Sequence, residues 1–595
     1  MSDGPIRIAN CSGFYGDRLA AAGEMLEGGP VDVLTGDYLA ELTLFLLWRA
    51  RQKDPMAGYA TTFLRQMEDV LGMALERGVR IVTNAGGLNP AGLAGRLREL
   101  CARLGLRARI AHVEGDDLTA RLDTLLAAGH RFAHLDTGQP LVERRAQVVT
   151  ANAYLGCWGI VDALAAGADV VVCGRVTDAS LVVGAAAWRF GWARDDWDRL
   201  AGAVVAGHIL ECGAQATGGN YAFFTEIPDL RHPGFPIAEI FADGSSVVTK
   251  HAGTGGSVSV GTVTAQLLYE IDGPRYANPD VVARFDSVRL EAAGADRVRV
   301  SGACGEPAPS SAKVAVNLIA GYRNQVTLVL TGLDVEAKAR LVKDALAPLL
   351  ARCAAADVQL VRSDRPDSPT NEEASAFLRI TVKDPDQRIV GRAFSSAIVE
   401  LALASYPGFY ATTPPEDASP YGVYWPCLIP AETVEEAVVA DDGTRVPVAR
   451  SSGRAETPEA GAATEPAAAS AVAAPTGPTR RVPLGTLFGA RSGDKGGNTN
   501  VGVWARNDEA YLWLAASLTV ERFKALVTEA ASLPVRRYAF PNLRALNFVV
   551  PGLLGEGALS STRLDPQAKS LGEYVRSRLV DLPIALLDGA GTGTP

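Results

Sequence analysis

The run VRIVTNAGGLNPAGLAGRLRELCARLGLRARIAHVEG, residues 79–115, decides the fold class. It opens on a β-branched apolar stretch that ends in the polar Thr83 and Asn84, and it closes on a second such stretch, RARIAHVEG (107–115). Between them Leu and Ala recur at helical spacing up to Gly105, with Asn89 and Pro90 suited to the cap and first position of a helix. Strand, helix and strand in so short a span are the unit of a parallel sheet covered by helices.

The same alternation extends outward. PIRIAN (5–10), VDVLTG (31–36), RFAHL (131–135) and ADVVVCGR (168–175) add strands, while GDRLAAAGEMLEG and DDLTARLDTLLAAG add amphipathic helices. Residues 1–310 are therefore expected to form an α/β domain with a mostly parallel sheet flanked by helices and the candidate active site. Its last third, including GSVSVGTVTAQLLYEI, mixes strand and loop character. From 311 to about 450, SAKVAVNLIAG, NQVTLVLTG, a long helix over VEAKARLVKDALAPLLARCA and ASAFLRITVKD predict an α+β unit. Residues 451–480 contain no large apolar side chain except Val472, too little burial to offset the entropy of ordering, and read as a disordered Ala/Pro/Ser/Thr-rich linker. Residues 481–595 read as a smaller α+β domain.

At 595 residues the chain needs several cores. A net charge of −10 without a basic run argues against nucleic acid as a partner. The N-terminus carries no basic-then-apolar leader and no apolar run is long enough to span a bilayer, so the expectation is a cytoplasmic protein with no membrane partner. Eight scattered cysteines with no CxxC pair, and six histidines with no HExxH spacing, point away from a dedicated zinc or redox site.

Open α/β sheets bind ligands beyond the carboxyl ends of their strands. There the sequence supplies Ser12 and Gly13 in CSGFYGDR, Asp37 and Glu41 after VDVLTG, Asn84, Gly86 and Gly87 in TNAGGLNP, and Arg175 with Asp178 in GRVTDAS. The glycine-rich loops suit close backbone approach to a phosphate or carboxylate. A guanidinium at 175 suits an anionic substrate group, with Asp178 orienting it or acting as a base. Glu211 in ECGAQATGGNYAFF and His251 before a further glycine-rich loop complete the acid/base candidates. In the last domain ARSGDKGGNTNVGV (490–503) offers Arg491, Ser492, Asp494, Lys495 and Asn498 as a clamp for an anionic ligand or a seal against the main body. No cofactor is firmly indicated. Mg²⁺ on Asp37, Glu114 or Asp178 is the oxygen-ligand possibility.

Together IRIANCSGFYGDR, VDVLTGDYLAEL, IVTNAGGLNP, GRVTDASL, ECGAQATGGNYAF and ARSGDKGGNTNVGV resemble the acyclic terpene utilisation (AtuA-like) family over nearly the whole chain. The resemblance implies that residues 481–595 form the AtuA-like ferredoxin-fold domain. It also implies a metabolic enzyme of acyclic terpene or branched-chain acid catabolism, of lyase or hydratase type, acting on an acyl-CoA or carboxylic acid. The alternatives are a Mg²⁺-dependent enzyme on a related acid and a non-catalytic scaffold for acyl-CoA pathway enzymes. A small-molecule substrate and a homo-oligomer, a dimer being the commonest closed form, are the partners expected.

Overall fold

The computed structural model describes residues 4–449 and 477–589. The core of the fold is a parallel run of β1 (Ile6–Asn10), β2 (Val33–Gly36), β3 (Arg80–Thr83) and β4 (Ile110–Glu114), with β5 (Val148–Ala153) leaving the sheet and β6 (Val170–Val172) returning to it. The spatial order is β1, β2, β3, β6, β4, with every neighbouring pair parallel. Antiparallel β7 (Pro236–Ile240) and β8 (Ser246–Lys250) extend it past β1, followed by Arg297–Ser301 and Arg289–Ala292. At the opposite edge Ala437–Val439 and Arg445–Pro447 continue beyond β4, giving eleven strands in all among the described residues.

The strands of the parallel core are dominated by buried apolar residues because both faces are covered. Helices Ala21–Glu27, Thr61–Glu76 and Pro90–Leu104 bury Met25, Phe63, Met67, Leu93 and Leu97 on one face. Helices Trp158–Ala165, Ser180–Phe190 and Trp197–Leu210 bury Ile160, Val183, Val204 and Ile209 on the other. The chain leaves β3 for the first face and β6, its neighbour, for the second. That divergence opens a crevice at their carboxyl ends, the switch point at which doubly wound sheets bind ligands.

Two expectations change here. RFAHL (131–135) forms no strand; Trp425 instead donates its indole N–H to the Phe132 carbonyl at 2.9 Å. GSVSVGTVTAQLL contains a helix, Val260–Leu267, whose Ser259 Oγ accepts from the Thr262 N–H at 3.2 Å. Burial of Val263 and Leu267 overrides the weak helix propensity of its Val and Thr residues.

The strand Ser311–Thr331 joins two cores. Its first half pairs with β5 and Ser419–Pro430 over the α/β body, and its second half pairs with Ser375–Asp384 over a separate core of Val342, Leu346, Ile380 and Phe394. The segment 451–480 falls almost wholly outside the described residues. The tail has an antiparallel sheet in the order Phe488–Lys495, Asn498–Ala505, Ala545–Val550, Arg536–Phe540, with helices packed on a core around Phe523 and Phe548. No described helix is long and apolar enough to cross a membrane.

Candidate active site

The crevice is built from the loops that follow the parallel strands. After β2, Asp37 turns inward and its Oδ1 accepts from the Asn84 side chain at 2.5 Å and the Leu39 N–H at 3.1 Å. Asn84, after β3, returns its own oxygen to the Tyr38 N–H at 2.7 Å. After β6, the Arg175 guanidinium lies over the Tyr154 ring at 4.7 Å and is paired with Asp178. The Arg175 N–H donates to Asp116 Oδ2 at 2.9 Å, which also takes Asn152. Asn10, at the end of β1, donates to the carbonyls of Leu210 and Glu211 and so fixes the end of helix Trp197–Leu210, where Glu211 enters the same crevice.

Arg175 is 1% exposed, and its remaining N–H groups go to the Val176 and Leu39 carbonyls. Its guanidinium is thus committed to protein partners and orients Asp178 rather than standing free for a ligand. Asp178, Glu41 and Lys313 differ: each is surrounded by the cluster yet keeps 32%, 34% and 31% of its side-chain surface accessible. Side chains so deep retain such area only by facing a cleft.

The tail closes this cleft. Lys495 Nζ donates to the Glu270 carbonyl at 2.7 Å, and Arg491 stacks on Tyr269 at 4.4 Å while bonding Gln215. Asn500 and Asn547 bond each other and the carbonyls of Leu268, Ile271 and Asp272. Gly493 lies so close to Tyr269 that a Cβ there would stand 2.5 Å from the ring. The hairpin that carries Asp494 and Lys495 is a fixed wall of the cleft.

The electrostatics follow from burial of many acids together. Burial, reinforced by the charge of Asp178, pushes the carboxyls of Asp37 and Glu211 well above the usual range. Burial likewise raises Glu270 and Asp494, each helped by neighbouring carboxylates. Glu41 goes the other way: burial opposes it, but Lys313, with its Nζ 3.9 Å away, holds it below its ordinary value. Lys313 also lies over the rings of Tyr154 and Tyr424 at 4.9 and 5.7 Å. These rings belong to an apolar wall with Leu39, Leu44, Leu47, Leu88 and Ala315.

Of the residues expected from sequence, the structure gathers Asp37, Asn84, Arg175, Asp178, Glu211, Asp494 and Lys495 around the cleft, with Arg491 at its tail-side seam. Ser12 Oγ is spent on the Phe14 carbonyl. Gly13 packs on the Cys212 backbone, where a Cβ would stand 2.7 Å from its carbonyl carbon. Gly86 and Gly87 form the turn into helix Pro90–Leu104, capped by Asn89. Ser492 bonds Ala568 and Gly572 within the tail, and Asn498 bonds Asp136 at 2.7 Å. His251 lies elsewhere, under helix Ala21–Glu27, with Nε2 2.9 Å from the Met25 carbonyl. Glu114 is engaged by His112 and Arg445 at the sheet edge, so it does not converge with Asp37 and Asp178 as a Mg²⁺ set would require. No group of three His, Cys, Asp or Glu among the described residues is arranged to hold a metal. Sequence reasoning missed Lys313 and Glu270, whose proximity depends on long-range pairing. It also missed His208, whose only local signal is its spacing from Glu211 on one helix face.

Comparison with known proteins agrees with this architecture. The model of the acyclic terpene utilisation family protein AtuA matches residues 6–440, and that of the AtuA ferredoxin-like domain matches residues 482–581. No protein with a curated description matches the chain. With the first match spanning well over half of its length and the second covering the tail that closes the cleft, the chain belongs to the acyclic terpene utilisation family AtuA.

Proposed function

We propose that the chain is an enzyme of acyclic terpene catabolism that adds or eliminates water on a branched carboxylic acid or its acyl-CoA thioester. The observation that carries the reading is the cleft itself. The ion-paired Asp178 and several carboxyls that burial pushes well above the usual range share the cleft with the accessible Lys313, beside an apolar wall. An anionic or carbonyl head on an apolar branched tail matches both halves.

In this reading Lys313 and Lys495 face the head group, and the Leu39, Leu44 and Tyr154 wall takes the tail. Asp178, oriented by Arg175, removes the proton from the carbon next to the carbonyl. Glu211, its carboxyl raised by burial and by the charge of Asp178, gives its proton to the departing hydroxyl as the C–O bond breaks with its electron pair on oxygen. A C=C bond forms and water leaves; hydration is the reverse. Asp37, its carboxyl raised by burial, and the lysines stabilise charge developing on the carbonyl oxygen, where preorganised donors count most.

The test uses thermal shift and hydrogen exchange. Branched acyl-CoAs and free branched acids should raise the melting temperature, since ligation stabilises the native state. In D₂O the protein should exchange the proton next to the carbonyl of isovaleryl-CoA. D178N should slow exchange by about 100-fold or more, whereas E211Q should keep exchange and lose water elimination. Neither stabilisation nor exchange with any branched acid or thioester would sink the reading.

A further inference from the structure

His208 stands at the most unusual point of the cluster. It is 0% exposed near the end of helix Trp197–Leu210, one turn before Glu211 on the same face. Its Nδ1 is 3.1 Å from Glu211 Oε1 but out of line for a hydrogen bond. Both its ring nitrogens, Glu211 Oε2 and Gln266 Oε1 lack hydrogen-bond partners among the described residues. Buried polar groups without a partner are costly, so four in one place are not explained by packing. Gln266 Nε2 donates to the His208 carbonyl at 3.2 Å, and the rings of Tyr276 and Phe285 hold the imidazole at 5.1 and 5.3 Å. The backbone under the pair is fixed by Asn10, leaving only side-chain rotation to bring Nδ1–H into line with Oε1.

We propose that His208 is the positioning residue of Glu211: its Nδ1–H bonds Oε1 when Glu211 loses its proton, so that Oε2 is the oxygen that releases and recovers that proton. The inference rests on the reading of Glu211 as an acid of the cleft. The step balances without a change of charge on the imidazole. Glu211 passes from carboxylic acid to carboxylate as its proton moves to the departing hydroxyl, and His208 stays neutral and supplies the hydrogen bond. Burial, with Lys495 nearby, lowers the imidazole to about 4, which keeps it in the neutral donor form. Asp178, Glu270 and Lys495 face the pair from three other elements, with the Tyr276 hydroxyl and the Cys212 thiol beside them. Asp178 and Glu270 oppose ionisation of Glu211, Lys495 and Arg175 favour it, and Asp37, whose carboxyl Glu211 pushes up, faces it from the loop after β2.

The experiment is an infrared titration of the whole protein without substrate, following the protonated-carboxyl band that disappears in E211Q. H208F should move its midpoint upward by about one pH unit or more, a ten-fold change in ionisation. H208N, whose amide N–H can replace Nδ1–H, should return it close to the wild-type position. A midpoint unmoved in H208F, or moved equally in H208N, would overturn the proposal and leave His208 a packing residue. Should H208F fail to fold, ¹⁵N-imidazole spectra of the wild type decide: the His208 Nδ1 signal, identified by its loss in H208N, should move on E211Q. An unmoved signal overturns the proposal. Because no substrate is used, a positive result beside failed hydrogen exchange would retire the enzyme reading and keep the pair.

Discussion

Two groups of buried carboxylates do different things. Around helix Trp158–Ala165, Asp280 Oδ2 accepts from the Cys157 N–H at 2.7 Å and Glu436 Oε1 accepts from the Gly159 N–H at 3.1 Å. Two acids from distant segments thus complete the amino end of a helix, where free N–H groups and the dipole favour them. In the cleft, Asp37, Asp178, Glu211, Glu270 and Asp494 outnumber what the helix ends need, share lysines with accessible surface and border orphaned atoms. A raised carboxyl alone does not distinguish a structural acid from a chemical one. Accessible neighbours and unpaired atoms do.

The largest expected effect separates the two groups. D178N should slow hydrogen exchange next to the carbonyl by about 100- to 10,000-fold, the usual contribution of a positioned base. E436Q should leave exchange within about two-fold of wild type, in keeping with a role confined to the helix end. Mass spectrometry of isovaleryl-CoA recovered from D₂O reads both. Equal loss in the two variants would erase the distinction.

Next comes the tail wall. G493A drives a Cβ toward Tyr269 and should cost about 1–3 kcal/mol, the usual range for overpacking. Its melting temperature should fall, and stabilisation by branched acids should vanish with it, because Asp494 and Lys495 lose their register against Glu270. N547A removes donors to the Ile271 and Asp272 carbonyls at 3.1 and 2.9 Å and should cost about 1–2 kcal/mol by calorimetry. Loss of ligand stabilisation in G493A without a fall in melting temperature would mean that the wall serves chemistry alone.

Much of this was legible in the sequence, for reasons that also mark the limit. β1, β2, β3, β4 and β6 announce themselves as apolar runs because both faces of the sheet are covered, and the acids and amides after them are local features of the same runs. Asp37, Asn84, Arg175 and Asp178 are legible that way, whereas Glu211 stands out only through its polar, glycine-rich segment ECGAQATGGNYAFF. VVTANA (148–153) carries the same strand signal but pairs with Ser311–Thr331, a partner no local pattern names. That pairing brings Lys313 to Tyr154, so Lys313 was invisible for the same reason. Arg175 was recognised as important but misread in detail: whether a guanidinium is free depends on carbonyls 39 and 176, which only the fold supplies.

The smallest effect sharpens the comparison through pH. Burial, with Asp280 beside it, pushes Glu436 from the ordinary 4.5 up to about 8. Its folded-state value lies above the unfolded one, so the native state binds the extra proton between these limits. The resulting stabilisation is fully present below about pH 4.5, is lost as pH rises toward 8, and is gone above it. E436Q can keep an acceptor for the Gly159 N–H but cannot ionise, so its stability should be flatter across this window and should exceed that of wild type at pH 8. Glu436 keeps some contact with solvent, which limits the difference to on the order of 1 kcal/mol. Denaturant titrations at pH 5 and pH 8 measure it. Because E211Q removes a raised acid too, it should flatten the same curve, but only Glu211 should also change the response to branched acids. Parallel behaviour of E436Q and E211Q with ligand present would place the two clusters in one class after all.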